Sequence, residues 1–356
     1  MISTLEIPVH KTTKSRLAQV DMNHLPFGKY ISDHMLVADY RDGEWQAPEI
    51  LPYGDLSMPP AMLALHYGQS VFEGMKAFRM ANGKVSIFRI EKHYDRLCKS
   101  IERLCMPLLP QELFVEGLKK LVEVDADWVP SQEGSSLYLR PFVFASEERY
   151  GVGPSNEYKF IIFTGPVGPY YPQPLRVKVE DHYIRAARGG VGYAKCAGNY
   201  GGVLYPTQKA KEAGFDQVLW TDGSPELNIE ESGTMNVMFL INNTLVTPPL
   251  SDTILDGVTR DSLLTIAQDL GYQVEERRIS AFELKEAFEK GILKEAFGVG
   301  TAAVTAPIQT IHIKGVDYSV SDYNEQSFCN QLKKRLTAIR TGMEKDVYFW
   351  NTIIQK

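Results

Sequence analysis

The chain has 356 residues, 44% hydrophobic and 23% charged, an ordinary globular composition long enough for two domains. A net charge of −6 argues against nucleic acid or an anionic membrane as the main partner, and no apolar run approaches the roughly 20 residues that span a bilayer. Cys98, Cys105, Cys196 and Cys329 show neither CxxC nor zinc spacing, which points to a reduced cytoplasmic protein without a metal.

Near the start, Lys11, Lys14 and Arg16 stand among Ser and Thr residues. Glu6 and the lack of an apolar stripe argue against a targeting segment. Tyr94, Leu97, Ile101 and Leu104 recur at helical spacing and predict a helix over Glu91 to Leu104. Leu137 to Ala145 and Tyr158 to Thr164 read as strands, the second a nearly continuous buried run. Gly165 to Pro174, with four prolines and two glycines, cannot continue a helix or an interior strand and reads as a domain linker. Beyond it, strands are expected at Phe215–Trp220, Asn236–Ile241 and Thr244–Thr247. A helix is expected from about Arg260 to Gly271, and another through Phe328, Leu332, Leu336 and Ile339 to near Gly342. This pattern gives an α/β (α+β) chain of two α/β domains, with boundaries at 1–165, 166–177 for the linker and 178–356, and a cleft between the domains.

Four stretches carry chemistry. Gly189 to Gly202, GGVGYAKCAGNYGG, has six glycines around one lysine, Lys195. Lysine can bond a carbonyl cofactor, although a mobile glycine loop with an exposed lysine has the same composition. Leu227 to Phe239, LNIEESGTMNVMF, offers Glu230 or Glu231 as a carboxylate for a protonated ring nitrogen, and the pattern does not choose between them. Leu255 to Thr259 precedes a helix whose free N–H groups suit a phosphate, unless Thr259 is simply its cap. Gly298 to Ala303, GVGTAA, matches the G-x-G-x-x-A dinucleotide fingerprint but lacks the strand–helix–strand context. A tight turn presenting the Thr301 and Ala302 amides to an anion fits better. The histidines show no metal spacing, and no G-x-S-x-G elbow occurs.

These stretches, with HYGQSVFEGMKAFR (66–79), YDRL (94–97), LYLRP (137–141), GPVGPYY (165–171) and TPPLSDTILDGVTR (247–260), resemble the class IV, fold-type-IV pyridoxal-phosphate aminotransferases, and in particular the branched-chain amino acid aminotransferases. The resemblance implies that Lys195 is the Schiff-base lysine and Glu231, rather than Glu230, the partner of the pyridine nitrogen. It implies that Arg96, Val258, Thr259 and Thr301 hold the phosphate, that Tyr200 bonds the phenolic oxygen and that Thr234 lines the site. Substrate would meet Phe27, Tyr67, Phe72, Tyr138, Tyr170 and the Thr301–Ala302 turn, with Arg140 taking the distal carboxylate of glutamate or 2-oxoglutarate. The reaction implied is amino transfer between leucine, isoleucine or valine and 2-oxoglutarate. The resemblance also implies a homodimer in which Tyr67 and the Tyr150–Val152 segment serve the neighbouring subunit. Human-type relatives carry a CxxC pair where Ala303 and Ala306 stand here, so that redox switch is not expected.

Overall fold

The computed structural model describes residues 5–169, 173–320 and 323–354. Its backbone contacts divide the chain into two units: Met1–Tyr170 with Ala194–Gly198 and Ile339–Lys356, and Tyr171–Tyr193 with Asn199–Ala338. Tyr170, expected in the substrate pocket, lies outside the described residues.

The first unit is built on nine antiparallel strands: β1 (His34–Arg41), β2 (Glu44–Trp45), β3 (Glu49–Pro52), β4 (Ser70–Phe72), β5 (Met75–Arg79), β6 (Val85–Phe88), β7 (Ser136–Ala145), β8 (Tyr158–Val167) and β18 (Asn351–Ile354). Their order is β18-β6-β5-β7-β8-β1-β2, with β3 on β1 and β4 on β7. Helices α1 (Leu63–Tyr67), α2 (Ile90–Arg103) and α3 (Gln111–Val124) complete the unit. Leu113, Phe114, Leu118, Leu121 and Val122 give α3 a buried face. Gly117 lets α3 approach the sheet, since a Cβ there would stand 2.8 Å from Leu36.

The second unit carries β9 (Leu175–Val179), β10 (Gln217–Thr221), β11 (Ile229–Ser232), β12 (Met235–Ile241), β13 (Thr244–Thr247), β14 (Gln273–Glu276), β15 (Leu293–Gly300), β16 (Val304–Ile313) and β17 (Val316–Ser319). The path β11-β10-β9-β16-β15-β12 closes on itself through the β11–β12 pairing, forming a barrel of mixed strand direction. Its helices are α4 (Gly198–Gly201), α5 (Leu204–Glu212), α6 (Val258–Asp269) and α7 (Ala281–Glu289). α8 (Phe328–Arg340) leads out of the unit. The core is mostly aliphatic, including Val177, Leu219, Val237, Leu284, Ala306 and Ile311, and takes in the Phe239 ring.

Two expected boundaries move. β8 runs on to Val167 and β9 begins at Leu175, so the connection is shorter than 166–177. Pro166 is tolerated because β1 pairs with β8 only as far as Phe163, leaving later N–H positions on that side without a strand partner. The chain also does not divide once. Residues 194–198 and 339–356 group with the first unit, the latter because β18 pairs in register with β6, Asn351 opposite Phe88. Among the described residues no helix is long and apolar enough to cross a membrane.

Candidate active site

In the first unit the Lys195 segment is sewn to β4. The Phe72 N–H donates to the Lys195 carbonyl at 3.0 Å, the Ala197 N–H donates to the Ser70 carbonyl at 3.0 Å, and Val71 bridges Cys196. The Lys195 N–H donates to Ser100 Oγ on α2 at 2.9 Å. The backbone around Lys195 is therefore fixed on two sides, which a mobile glycine loop would not be. Its side chain is half-buried, with Nζ 4.9 Å from the centroid of the Phe72 ring.

The helix expected at Glu91–Leu104 is α2, but its buried face is not only the apolar stripe. His93, Arg96 and Ser100 are buried beside Leu97 and Ile101. This polar stripe meets Glu73, which is wholly buried in the turn between β4 and β5. Glu73 Oε1 accepts Arg96 Nε at 2.8 Å, and Oε2 accepts Arg96 Nη2 at 2.7 Å and His93 Nδ1 at 2.7 Å. Burial opposes ionisation of Glu73, yet Arg96 and His93 outweigh it and hold the carboxyl well below the usual carboxylate range. Burial pushes the His93 imidazole down against the pull of Glu73, and the positive charges of Arg96 and Lys195 add to the effect. Removing one partner of such a pair leaves a buried charge uncompensated, at a cost of about 3–5 kcal/mol. Sequence reasoning did not single out Glu73. A carboxylate inside the apolar run SVFEGMKAF was the available signal.

Phe27, Phe72, Tyr138 and Arg140 come together in the same unit. Phe27 meets Tyr138 edge-on with centroids 5.0 Å apart. The Arg140 guanidinium lies 4.7 Å from the Phe72 centroid and 5.2 Å from that of Tyr138, and its Nη2 donates to the Tyr138 hydroxyl at 2.9 Å. Tyr138 and Arg140 share a strand face, two residues apart on β7. Gly74 makes room for the Tyr138 ring, because a Cβ there would fall 2.1 Å from its hydroxyl. Among the described residues no carboxylate pairs with Arg140, and its Nε is buried without a hydrogen-bond partner. Tyr67 makes its hydrogen bond elsewhere: its hydroxyl donates to the Tyr150 carbonyl at 2.7 Å, on a surface where Tyr150 and Val152 are exposed.

The second unit gathers a different set at one end of its barrel. Gly233 and Thr234 form the two-residue turn between β11 and β12. Gly233 takes φ +58°, and Glu231 stands opposite Asn236. Asn236 in turn pairs with Val299 on β15, two residues before Thr301. Its side chain donates to the Leu255 carbonyl at 2.9 Å, bringing in the segment that leads to α6. The helix N-cap is Gly257, whose absent Cβ would otherwise stand 1.9 Å from Asn236 Oδ1. Thr259 is not the cap: Val258 and Thr259 are buried in the first turn, and no side chain caps it. Residues 301–303 are the turn of the β15–β16 hairpin, with Val304 after it at φ +64°. A hairpin excludes the dinucleotide reading of GVGTAA, which needs a helix there. Tyr200 is half-buried in α4.

The two adjacent glutamates differ. Glu231 pairs with Arg185 Nε at 3.0 Å and accepts the Leu255 N–H at 2.8 Å. Glu230 accepts the Thr253 hydroxyl and lines a separate cavity of about 520 Å³ with Asp222, Asn228 and Arg278. Burial, with the Glu231 charge adding to it, pushes the Glu230 carboxyl up to about 7. No local signal in the sequence pointed to Arg185.

Among the described residues no group of three His, Cys, Asp or Glu is placed to hold a metal. Cys105 is the exposed thiol, whereas Cys196 and Cys329 are buried, and Ala303 and Ala306 offer no sulfur. Mild peroxide is therefore expected to leave activity largely intact. Loss of most activity, restored by dithiothreitol, would contradict this, and a Cys196→Ala variant would then locate the thiol.

The sequence pattern of the class IV aminotransferases matches residues 70–311. The chain is 44% identical over 339 residues to a probable branched-chain-amino-acid aminotransferase of Staphylococcus aureus strain N315, covering 94% of each chain. It is 44% identical over 344 residues to branched-chain-amino-acid aminotransferase 2 of Bacillus subtilis strain 168, covering 96% of this chain and 95% of that one. Its fold matches the crystal structure of a T.th. branched-chain amino acid aminotransferase complexed with N-(5'-phosphopyridoxyl)-L-glutamate. The TM-score is 0.73 at 26% identity, over 90% of this chain and 98% of that one. The chain therefore belongs to the class IV aminotransferases, and within them to the branched-chain-amino-acid aminotransferases.

Proposed function

We propose that this protein transfers the amino group reversibly between L-leucine, L-isoleucine or L-valine and 2-oxoglutarate, giving branched-chain 2-oxo acids and L-glutamate, with pyridoxal 5′-phosphate as cofactor. The T.th. relative, in complex with a phosphopyridoxyl–glutamate adduct, supports both cofactor and acceptor. The residues present fit that cofactor: a half-buried lysine amine, a buried arginine, an uncapped helix N-terminus behind a glycine, and a buried carboxylate held by a backbone N–H. When bound, the cofactor supplies an aldehyde that carries the amino group and a pyridinium ring that draws electrons from the substrate α-carbon.

Lys195 Nζ holds the cofactor and, once released, takes and returns the α-proton. Glu231 keeps the ring nitrogen protonated. Arg96, the Val258 and Thr259 amides and Thr301 hold the phosphate. Tyr200 donates to the phenolic oxygen and Thr234 lines the cofactor. Phe27, Tyr67, Phe72 and Tyr138 form the apolar wall for a branched side chain, and the Thr301 and Ala302 amides receive the α-carboxylate. A homodimer belongs to this reading, because Leu65, Tyr67, Tyr150 and Val152 expose apolar surface that a second copy would cover. A cytoplasmic location fits the four unpaired cysteines.

One observation carries the reading. Among the described residues Arg140 has no carboxylate partner, and it lies over the ring whose face also carries Lys195 Nζ. Such a pocket accepts an isobutyl group against its aromatic walls and a distal carboxylate on the guanidinium, two side chains that one apolar cavity would not both admit. The test is a transfer assay from L-leucine to 2-oxoglutarate. Arg140→Met is expected to raise KM for 2-oxoglutarate by about thirtyfold or more, since a charge-assisted contact is worth ~2 kcal/mol or more. The single-turnover leucine half-reaction should change by no more than about threefold. Equal damage to both half-reactions would assign Arg140 to the fold or the cofactor instead.

A further inference from the structure

Glu73 belongs to none of the roles above, yet the two elements that hold the lysine backbone, β4 and α2, meet at it. It follows Phe72, whose N–H holds the Lys195 carbonyl. It faces α2, whose Ser100 hydroxyl accepts the Lys195 N–H and donates to the Arg96 carbonyl. Its carboxylate accepts from Arg96 Nε, Arg96 Nη2, His93 Nδ1 and the Gly74 N–H, four contacts inside the unit. A wholly buried carboxylate taking one side of a guanidinium in two hydrogen bonds fixes both the plane of that group and the direction of its remaining N–H edge. Arginine on a helix otherwise has several rotamers of similar energy, and losing that freedom on binding an anion weakens the binding.

We propose that Glu73 is the positioning residue for Arg96: it holds the guanidinium in the one orientation that presents its outer edge to the cofactor's phosphate. The proposal rests on the reading of Arg96 as a phosphate ligand and adds to it a residue that touches neither cofactor nor substrate. A merely structural Glu73 would, when altered, weaken every ligand of the site alike. A positioning Glu73 weakens only ligands that carry the phosphate.

Binding to the apoprotein separates these cases. Dissociation constants for pyridoxal phosphate and for pyridoxal, which has the same aldehyde and ring but no phosphate, are measured by fluorescence titration of the full-length protein. The set is the parent, Arg96→Met, Glu73→Gln and Glu73→Asp, each checked for folding by circular dichroism. Arg96→Met and Glu73→Gln are each expected to weaken pyridoxal phosphate by about thirtyfold or more while pyridoxal changes less than about twofold. Glu73→Asp keeps the charge on a shorter stem and should recover part of the loss, again for the phosphorylated ligand alone. It decides the matter should Glu73→Gln not fold. Equal weakening of both ligands in a folded Glu73 variant overturns the proposal, and so does a phosphate-selective Arg96→Met beside a neutral Glu73→Gln. An Arg96→Met that does not discriminate overturns the reading of Arg96 itself.

Discussion

Lys195→Ala is expected to reduce amino transfer from L-leucine by at least about 10⁴-fold with little change in folding. The side chain is assigned two tasks, covalent attachment and proton movement at the α-carbon, and positioned proton transfer alone is worth about 10²–10⁴-fold. The fold should be spared because the segment is held by its backbone: its N–H on Ser100, its carbonyl on Phe72, and the Val71–Cys196 bridge. None of these needs the amine. Losing Nζ removes the charge over the Phe72 ring, a contact of the order of 1 kcal/mol. Cofactor binding should weaken without vanishing, because the phosphate contacts remain. Turnover within about tenfold of the parent would remove Lys195 from the chemistry.

Glu231→Ala is expected to lower turnover by about a hundredfold or more, the scale of losing one fixed electrostatic partner at a reacting centre. Without the carboxylate the ring nitrogen loses its proton and draws electrons poorly from the α-carbon. Glu230→Ala is the control. It lies on the opposite strand face beside Thr253, and burial favours its neutral form up to about pH 7, which makes it a poor partner for a cation. The control should lose less than about fivefold. If Glu230→Ala proves the more damaging, the carboxylate has been assigned one position too late.

Local periodicity made much of this fold legible. Leu97 and Ile101 announced α2, and the run YKFIIFT announced β8, because both elements bury a face whose spacing needs no distant partner to explain it. Three features were not legible for physical reasons. α3 has helical spacing in Leu113, Leu118 and Leu121 but is interrupted by Gly117, which is there for close packing on Leu36 and lowers the helical signal. β18 is four residues whose strand character comes from pairing with β6, more than 250 positions away in the chain. The polar stripe of α2 looks solvent-facing in the sequence, and Glu73, twenty-three residues from Arg96, offsets the cost of burying His93 and Arg96.

The chemistry was more legible than the geometry around it. Glycines around a single lysine, a pair of adjacent glutamates and two anion-suited turns stood out because their residue types suit few other purposes. Their supports did not. Arg185, which pairs with Glu231, sits in a stretch of ordinary composition, and the Thr259 capping alternative could be set aside only once Gly257 was seen at the N-cap. Such supports are chosen by three-dimensional neighbours, so no local pattern marks them.

The most direct test of the central claim is reduction of the cofactor-loaded protein with borohydride, followed by peptide mapping. Reduction makes the lysine–cofactor bond permanent. The account predicts a single phosphopyridoxyl label on Lys195, in the peptide containing Gly-Tyr-Ala-Lys195-Cys-Ala-Gly. A label on any other lysine, or a protein that takes up pyridoxal phosphate and yields no labelled peptide, would contradict it.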